Sequence, residues 1–77
     1  MSQDIRQRAA RARTLLADDT FKEAVQDLKQ LQVNVFLNPA STVEDREEAH
    51  HIAGALSKIE QYLQSAVMDE KMLDRRK

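Results

Sequence analysis

Two groupings along this chain combine residue types and spacings that chemistry can use. The first is Arg6, Arg8, Arg11 and Arg13. A guanidinium stays charged and offers a planar fork of donors, so arginines grouped this way grip carboxylates or phosphates. The second is Glu47-Glu48-Ala49-His50, followed by His51. On a helix, a Glu and a His three residues apart face the same way, the spacing that di-iron helical bundles use. Such a site also needs carboxylates from a neighbouring helix. In an antiparallel hairpin the stretch level with His50 is expected to be residues 29–32, which holds no acid. Glu23 lies about 12 Å further along the axis. His50 and His51 point about 100° apart and do not chelate together. The expectation is therefore no metal and no cofactor. Nor is there a nucleophile with a supporting base. Cysteine is absent, no Ser-His-Asp order sits among suitable turns, and a single glycine makes no phosphate-cradling loop. No catalytic residue is assigned, and the chain reads as a non-enzyme.

The arginines must be placed before their use can be judged. On a helical wheel Ile5, Ala9, Ala12 and Leu16 fall within an arc of about 60°, with Arg6 and Arg13 on one flank and Arg8 and Arg11 on the other. Beside an apolar seam they have two uses: ion pairs across to acids of the last helix such as Glu60, Asp69 and Glu70, or contact with an anionic partner or phosphate. The charge distribution frames the choice. Four arginines against one aspartate give residues 1–17 a side-chain charge of +3, and eight bases against twelve acids give residues 18–77 a charge of −4. A net charge of −1 makes a poor nonspecific nucleic-acid binder. Aromatics are only 4% of the chain, so no base-stacking platform is interleaved with the arginines.

The positioning elements are all helical. Apolar residues recur at Ala49, Ile52, Leu56, Ile59, Leu63 and Ala66, and again at Leu73, with Glu70 at the skipped position. This is a heptad seam. Ser41-Thr42-Val43-Glu44 reads as a capping box at its start. Glu44, Asp45, Glu47 and Glu48 suit the positive end of the helix dipole, and Lys71, Arg75, Arg76 and Lys77 the negative end. Gly54 is a weak point that permits close approach of a neighbour. Pro39 disfavours helix at Asn38, so the preceding helix should stop near Leu37. That helix carries Phe21, Ala24, Val25, Leu28, Leu31, Val35 and Phe36 at helical spacing, with Val33 and Leu37 on other faces. Asp19 is its expected N-cap, with Thr20 and Glu23 as an overlapping box. Whether residues 2–17 form a separate helix or one long helix kinked at residues 18–20 is left open by propensity.

The arms, residues 2–37 and 42–75 around a loop at 38–41, are matched in length, roughly 50 Å each if straight. The fold class is thus all-α: one domain, residues 1–77, built as a long antiparallel hairpin with its first arm broken or kinked near residues 18–20. A two-helix hairpin buries one seam, and a chain of 77 residues without disulfides needs another staple. A homo-oligomer forming a helical bundle is expected, with Phe21, Leu28, Leu31, Val35, Ile52, Leu56, Ile59 and Leu63 as interface. A folded-back three-helix monomer is the alternative. Met68 and Met72 are expected to pack in the seam, with an adaptable binding surface as the other reading, and Tyr62 to keep its hydroxyl wet beside the seam. No apolar run approaches the roughly 20 residues needed to span a bilayer, so no membrane contact and a cytoplasmic location are expected.

The stretches Ala10-Arg11-Ala12-Arg13-Thr14-Leu15-Leu16-Ala17-Asp18-Asp19-Thr20-Phe21-Lys22-Glu23-Ala24 and Ile59-Glu60-Gln61-Tyr62-Leu63-Gln64-Ser65-Ala66-Val67 resemble small helical proteins that tailed bacteriophages encode among head and DNA-packaging genes, mostly of unassigned function. Those proteins often carry proline after the paired Asp, where this chain has Thr20. The resemblance implies a phage or prophage origin, a place in assembly, and a location in the host cytoplasm or the virion. It supplies no functional residues. The function expected is that of an oligomeric assembly or adaptor protein acting on a protein partner. A DNA-packaging accessory resembling a small terminase subunit, and a nucleotide-sequestering anti-defence protein, are the alternatives that would use the arginines on phosphate.

Overall fold

The computed structural model describes residues 2–75. Met1, and Arg76 and Lys77 assigned above to the negative end of the dipole, lie outside the described residues. Three helices, α1 (Ser2–Ala17), α2 (Asp19–Leu37) and α3 (Val43–Arg75), follow one another, and no strand occurs among the described residues. The all-α class and the hairpin architecture are as expected.

The break in the first arm is one residue long. Asp18 leaves helical geometry (φ −73°, ψ 123°), and its side chain accepts from the Phe21 amide at 2.8 Å. Its own amide donates to the Leu15 carbonyl at 3.1 Å, tightening the last turn of α1. The cap of α2 is therefore Asp18, not Asp19, and the Thr20–Glu23 box does not form. The hairpin turn is built on Asn38, held extended by the proline that follows (φ −78°, ψ 116°). The Asn38 side chain accepts from the Ala40 amide at 3.0 Å, and its carbonyl accepts from the Ser41 amide at 3.1 Å. This turn uses the very amide that a Ser41–Glu44 box requires. The box forms one residue later: Thr42 Oγ1 accepts from the Asp45 amide and Asp45 Oδ2 accepts from the Thr42 amide, both at 3.0 Å.

Both α1 and α2 pack along α3, α1 beside its C-terminal half and α2 beside its N-terminal half. The result is a rod of 56 × 22 × 16 Å with a radius of gyration of 16.6 Å. A compact chain of this length would have about 11 Å. The folded-back three-helix monomer is not the shape adopted. The apolar core is thin: Ala9, Ala12, Val25, Ala49, Leu56 and Ala66. Alanine lets helix axes come close but gives little in return. Burying a Val or Leu contributes about 1.5–3 kcal/mol, while ordering each residue's backbone costs about 1–2 kcal/mol. Only Val25 and Leu56 are of that size here.

The seam of α3 is rotated from the apolar heptad. Ile59 is 48% exposed, while Ala53, Glu60, Val67 and Glu70 turn partly inward. Ion pairs accompany the rotation at two of these positions. Lys29 on the inner face of α2 holds Glu60, and Arg6 and Arg13 hold Glu70. Gln32 is buried on the same face of α2, with its amide nitrogen satisfied by the Leu28 carbonyl at 2.9 Å. Gly54 points away from every neighbour: a Cβ there meets nothing within 4 Å. It is not a point of close helix approach.

Two substitutions test this reading. Gly54→Ala should raise stability by about 0.5–1 kcal/mol, since only helix propensity changes. Asp18→Ala should lower it by about 1 kcal/mol through loss of the cap. Chemical denaturation monitored by circular dichroism measures both.

Candidate interaction surface

The four arginines divide by the flank of α1 on which they sit. Arg6 Nη2 donates to Asp74 Oδ1 at 2.7 Å and Nη1 lies 3.8 Å from Glu70. Arg13 donates to the other Glu70 oxygen. These two are tied to α3. Arg8 and Arg11, on the opposite flank, have no ion-pair partner among the described residues. Of the acids expected to receive arginines, Glu70 does so, Glu60 pairs with Lys29 instead, and Asp69 pairs with none of the described residues. Asp74 is the partner that sequence reasoning missed. Its position one helical turn beyond Glu70 is the signal that could have found it.

The hairpin consequently has two unlike broad faces. One is laced with charge. The Arg6, Arg13 and Lys29 ion pairs cross it, and a groove lined by Arg13, Leu16, Lys22, Val67, Met68 and Lys71 runs along it. Met68 and Met72 are each 50% exposed, so they stand outside the seam rather than in it.

The other face carries no cross-helix ion pair among the described residues. Its middle is apolar. Leu28, Leu31 and Val35 share one side of α2, and Ile52, Ile59 and Ala66 recur every seven residues on α3. Val35 and Ile52 line one groove near the loop, together with Asp45 and Glu48. Leu15 and Tyr62 line another toward the chain ends, together with Arg8 and Arg11. The two grooves place α1, α2 and α3 side chains on a single surface. Leu31 is 55% exposed and Tyr62 63%, so large apolar side chains stand in water along the length of this face.

The residues expected at an interface therefore fall in two sets. Leu28, Leu31, Val35, Ile52 and Ile59 lie on this face, half-buried or exposed. Leu56 is buried between the arms, and Phe21 and Leu63 are half-buried in the same seam. Glu47, His50 and His51 lie beside Phe36 and Arg46 rather than residues 29–32. The two imidazoles are 6.1 Å apart at 50°. Among the described residues, no three His, Asp or Glu side chains are grouped to hold a metal, and no helix is long and apolar enough to cross a membrane. Set against family models, curated proteins and solved structures, the chain matches none.

Glu70 receives two arginines while its side chain is only 13% exposed. Glu70→Gln should cost about 1 kcal/mol at low ionic strength. Part of that loss should vanish in 1 M salt, where the exposed guanidinium ends are screened within about 3 Å. Urea melts at the two salt concentrations make the comparison.

Proposed function

We propose that this protein is a non-enzymatic assembly or adaptor protein that works as a homo-oligomer through helix-to-helix contact. One observation carries the reading: the apolar face running through Leu28, Leu31, Ile59 and Tyr62 is exposed in the single chain. Its accessible surface is 6142 Å², against about 4,800 Å² for a compact monomer of this mass. The difference exceeds the roughly 800 Å² per partner of a standard protein interface. That excess belongs to the elongated shape of the whole chain, and large apolar side chains grouped on one exposed surface mark contact sites on soluble proteins.

In this reading the ion-paired face stays outward and meets a protein partner; a part in virion assembly is proposed on the resemblance of residues 10–24 and 59–67 to phage proteins alone. The DNA-packaging alternative loses support from the ion pairs, because Arg6 and Arg13 already hold carboxylates. Two arginines on an acidic chain leave little to neutralise phosphate.

Light-scattering chromatography tests the reading. The expected mass is at least twice 8.8 kDa at micromolar concentration, and it should persist in 0.5 M salt. Ile59→Glu should shift the chain toward monomer. A wild-type monomer at all concentrations overturns the proposal. Retention of a DNA duplex at low salt would instead favour the packaging alternative.

A further inference from the structure

The apolar face has ends of different charge, and that asymmetry selects an orientation. We infer that the occupant of this face is a second copy of the chain running antiparallel, with Arg8 and Arg11 of each copy meeting Glu48 and Asp45 of the other. The inference rests on the self-association proposed above and adds the geometry of the pair.

Arg8 and Arg11 line the groove at one end with Leu15 and Tyr62, and Asp45 and Glu48 line the groove at the other with Val35 and Ile52. Asp4 lines the arginine groove as well, and Asp69 stands one heptad beyond Tyr62. These four side chains sum to no net charge, but Arg8 and Arg11 have no ion-pair partner among the described residues, and by helical position Lys58, one turn before Tyr62, stands at the edge of the same face. Six other bases lie elsewhere. Arg6, Arg13 and Lys29 are tied across the opposite face, Lys22 and Lys71 line its groove, and Arg46 sits beside Phe36 and His50. No base lines the groove of Asp45 and Glu48.

Position along the rod makes the match. Arg6 reaches Asp74 and Leu15 lies beside Tyr62, so Arg8 and Arg11 stand level with about residues 66–71 of α3. Ile59 is the midpoint of Val43–Arg75. A two-fold axis through Ile59 and across the rod carries the level of residues 66–71 onto residues 47–52 of the second copy. Glu48 sits there, and Asp45 is within a turn of it. Ile59, Leu28 and Leu31 fall near the axis, where a two-fold contact packs a surface against itself. A parallel pair would instead set arginine on arginine and Glu48 on Glu48, and like charges brought together are the means by which interfaces reject an arrangement.

Two experiments test the orientation. The chain has no cysteine, so Ala40→Cys introduces a single spin-label site in the exposed hairpin turn, away from the face. In the antiparallel pair the two labels should be separated by nearly the 56 Å length of the rod. A separation near its 22 Å width would overturn the antiparallel pair and leave self-association standing. A label-free monomer would overturn both. The second experiment mixes two charge-reversed chains, Arg8→Glu/Arg11→Glu and Glu48→Arg. Asp45 is left in place because it holds the α3 cap. Each alone should self-associate roughly tenfold or more weakly than wild type, and the mixture should form a heterodimer of near wild-type affinity. Equal weakness of the mixture and its components, with helicity retained, would also overturn the antiparallel pair.

Discussion

Two antiparallel helical arms can bury one seam between them and no more, and the rest of this structure follows from that limit. A helix presents its apolar stripe over a third or more of its circumference, but one neighbour covers only part of it. Here α3 is covered along one line by α1 and α2 in succession, and what lies beside that line remains in water. The buried set is dominated by alanine, and Leu28, Leu31, Ile59 and Tyr62 stand exposed. A fold with this distribution has placed its larger apolar side chains where the single chain does not use them.

Ion pairs mark the side of the stripe that is turned inward. Glu60 and Glu70 occupy partly buried positions in α3 because Lys29, Arg6 and Arg13 reach them from the other arm. Pairs whose basic partner is this exposed contribute little energy each. They coincide with the rotation of α3 that sets two glutamates toward the seam and Ile59 out of it. The same contacts divide the arginines, committing Arg6 and Arg13 to one face and leaving Arg8 and Arg11 on the other. Geometry, rather than the number of basic residues, thus determines how much positive charge is available to a partner.

Much of this was legible in the residues themselves. Pro39 and the spacing of apolar residues locate the hairpin and both arms, and the paired acids at 18 and 19 locate the break. The caps fell one residue from where they were expected, each where two capping residues stand in succession. Asp18 and Asp19 are equivalent as letters, and so are Ser41 and Thr42. Only the bond from the Ser41 amide to the Asn38 carbonyl removes Ser41 from contention. The rotation of the seam was illegible for a different reason. Apolar periodicity counts Ile59 as inward and Glu60 as outward, whereas in the structure Glu60 turns inward to meet Lys29 of the facing helix and Ile59 turns out. Arg13 and Glu70 were visible as candidates, whereas Asp74 was not. Gly54 shows the converse: its residue type invited a packing explanation, and its surroundings hold nothing to pack against.

The central claim is that the exposed face belongs to the folded state's own contacts, so that folding and association are linked. Thermal unfolding followed by circular dichroism over a hundredfold range of protein concentration tests it most directly. If a second copy covers the face, the melting temperature should rise with concentration, because mass action stabilises the associated state by about 2.7 kcal/mol over such a range. A melting temperature that does not move with concentration would mean that the thin seam between the arms suffices by itself, and would contradict the claim.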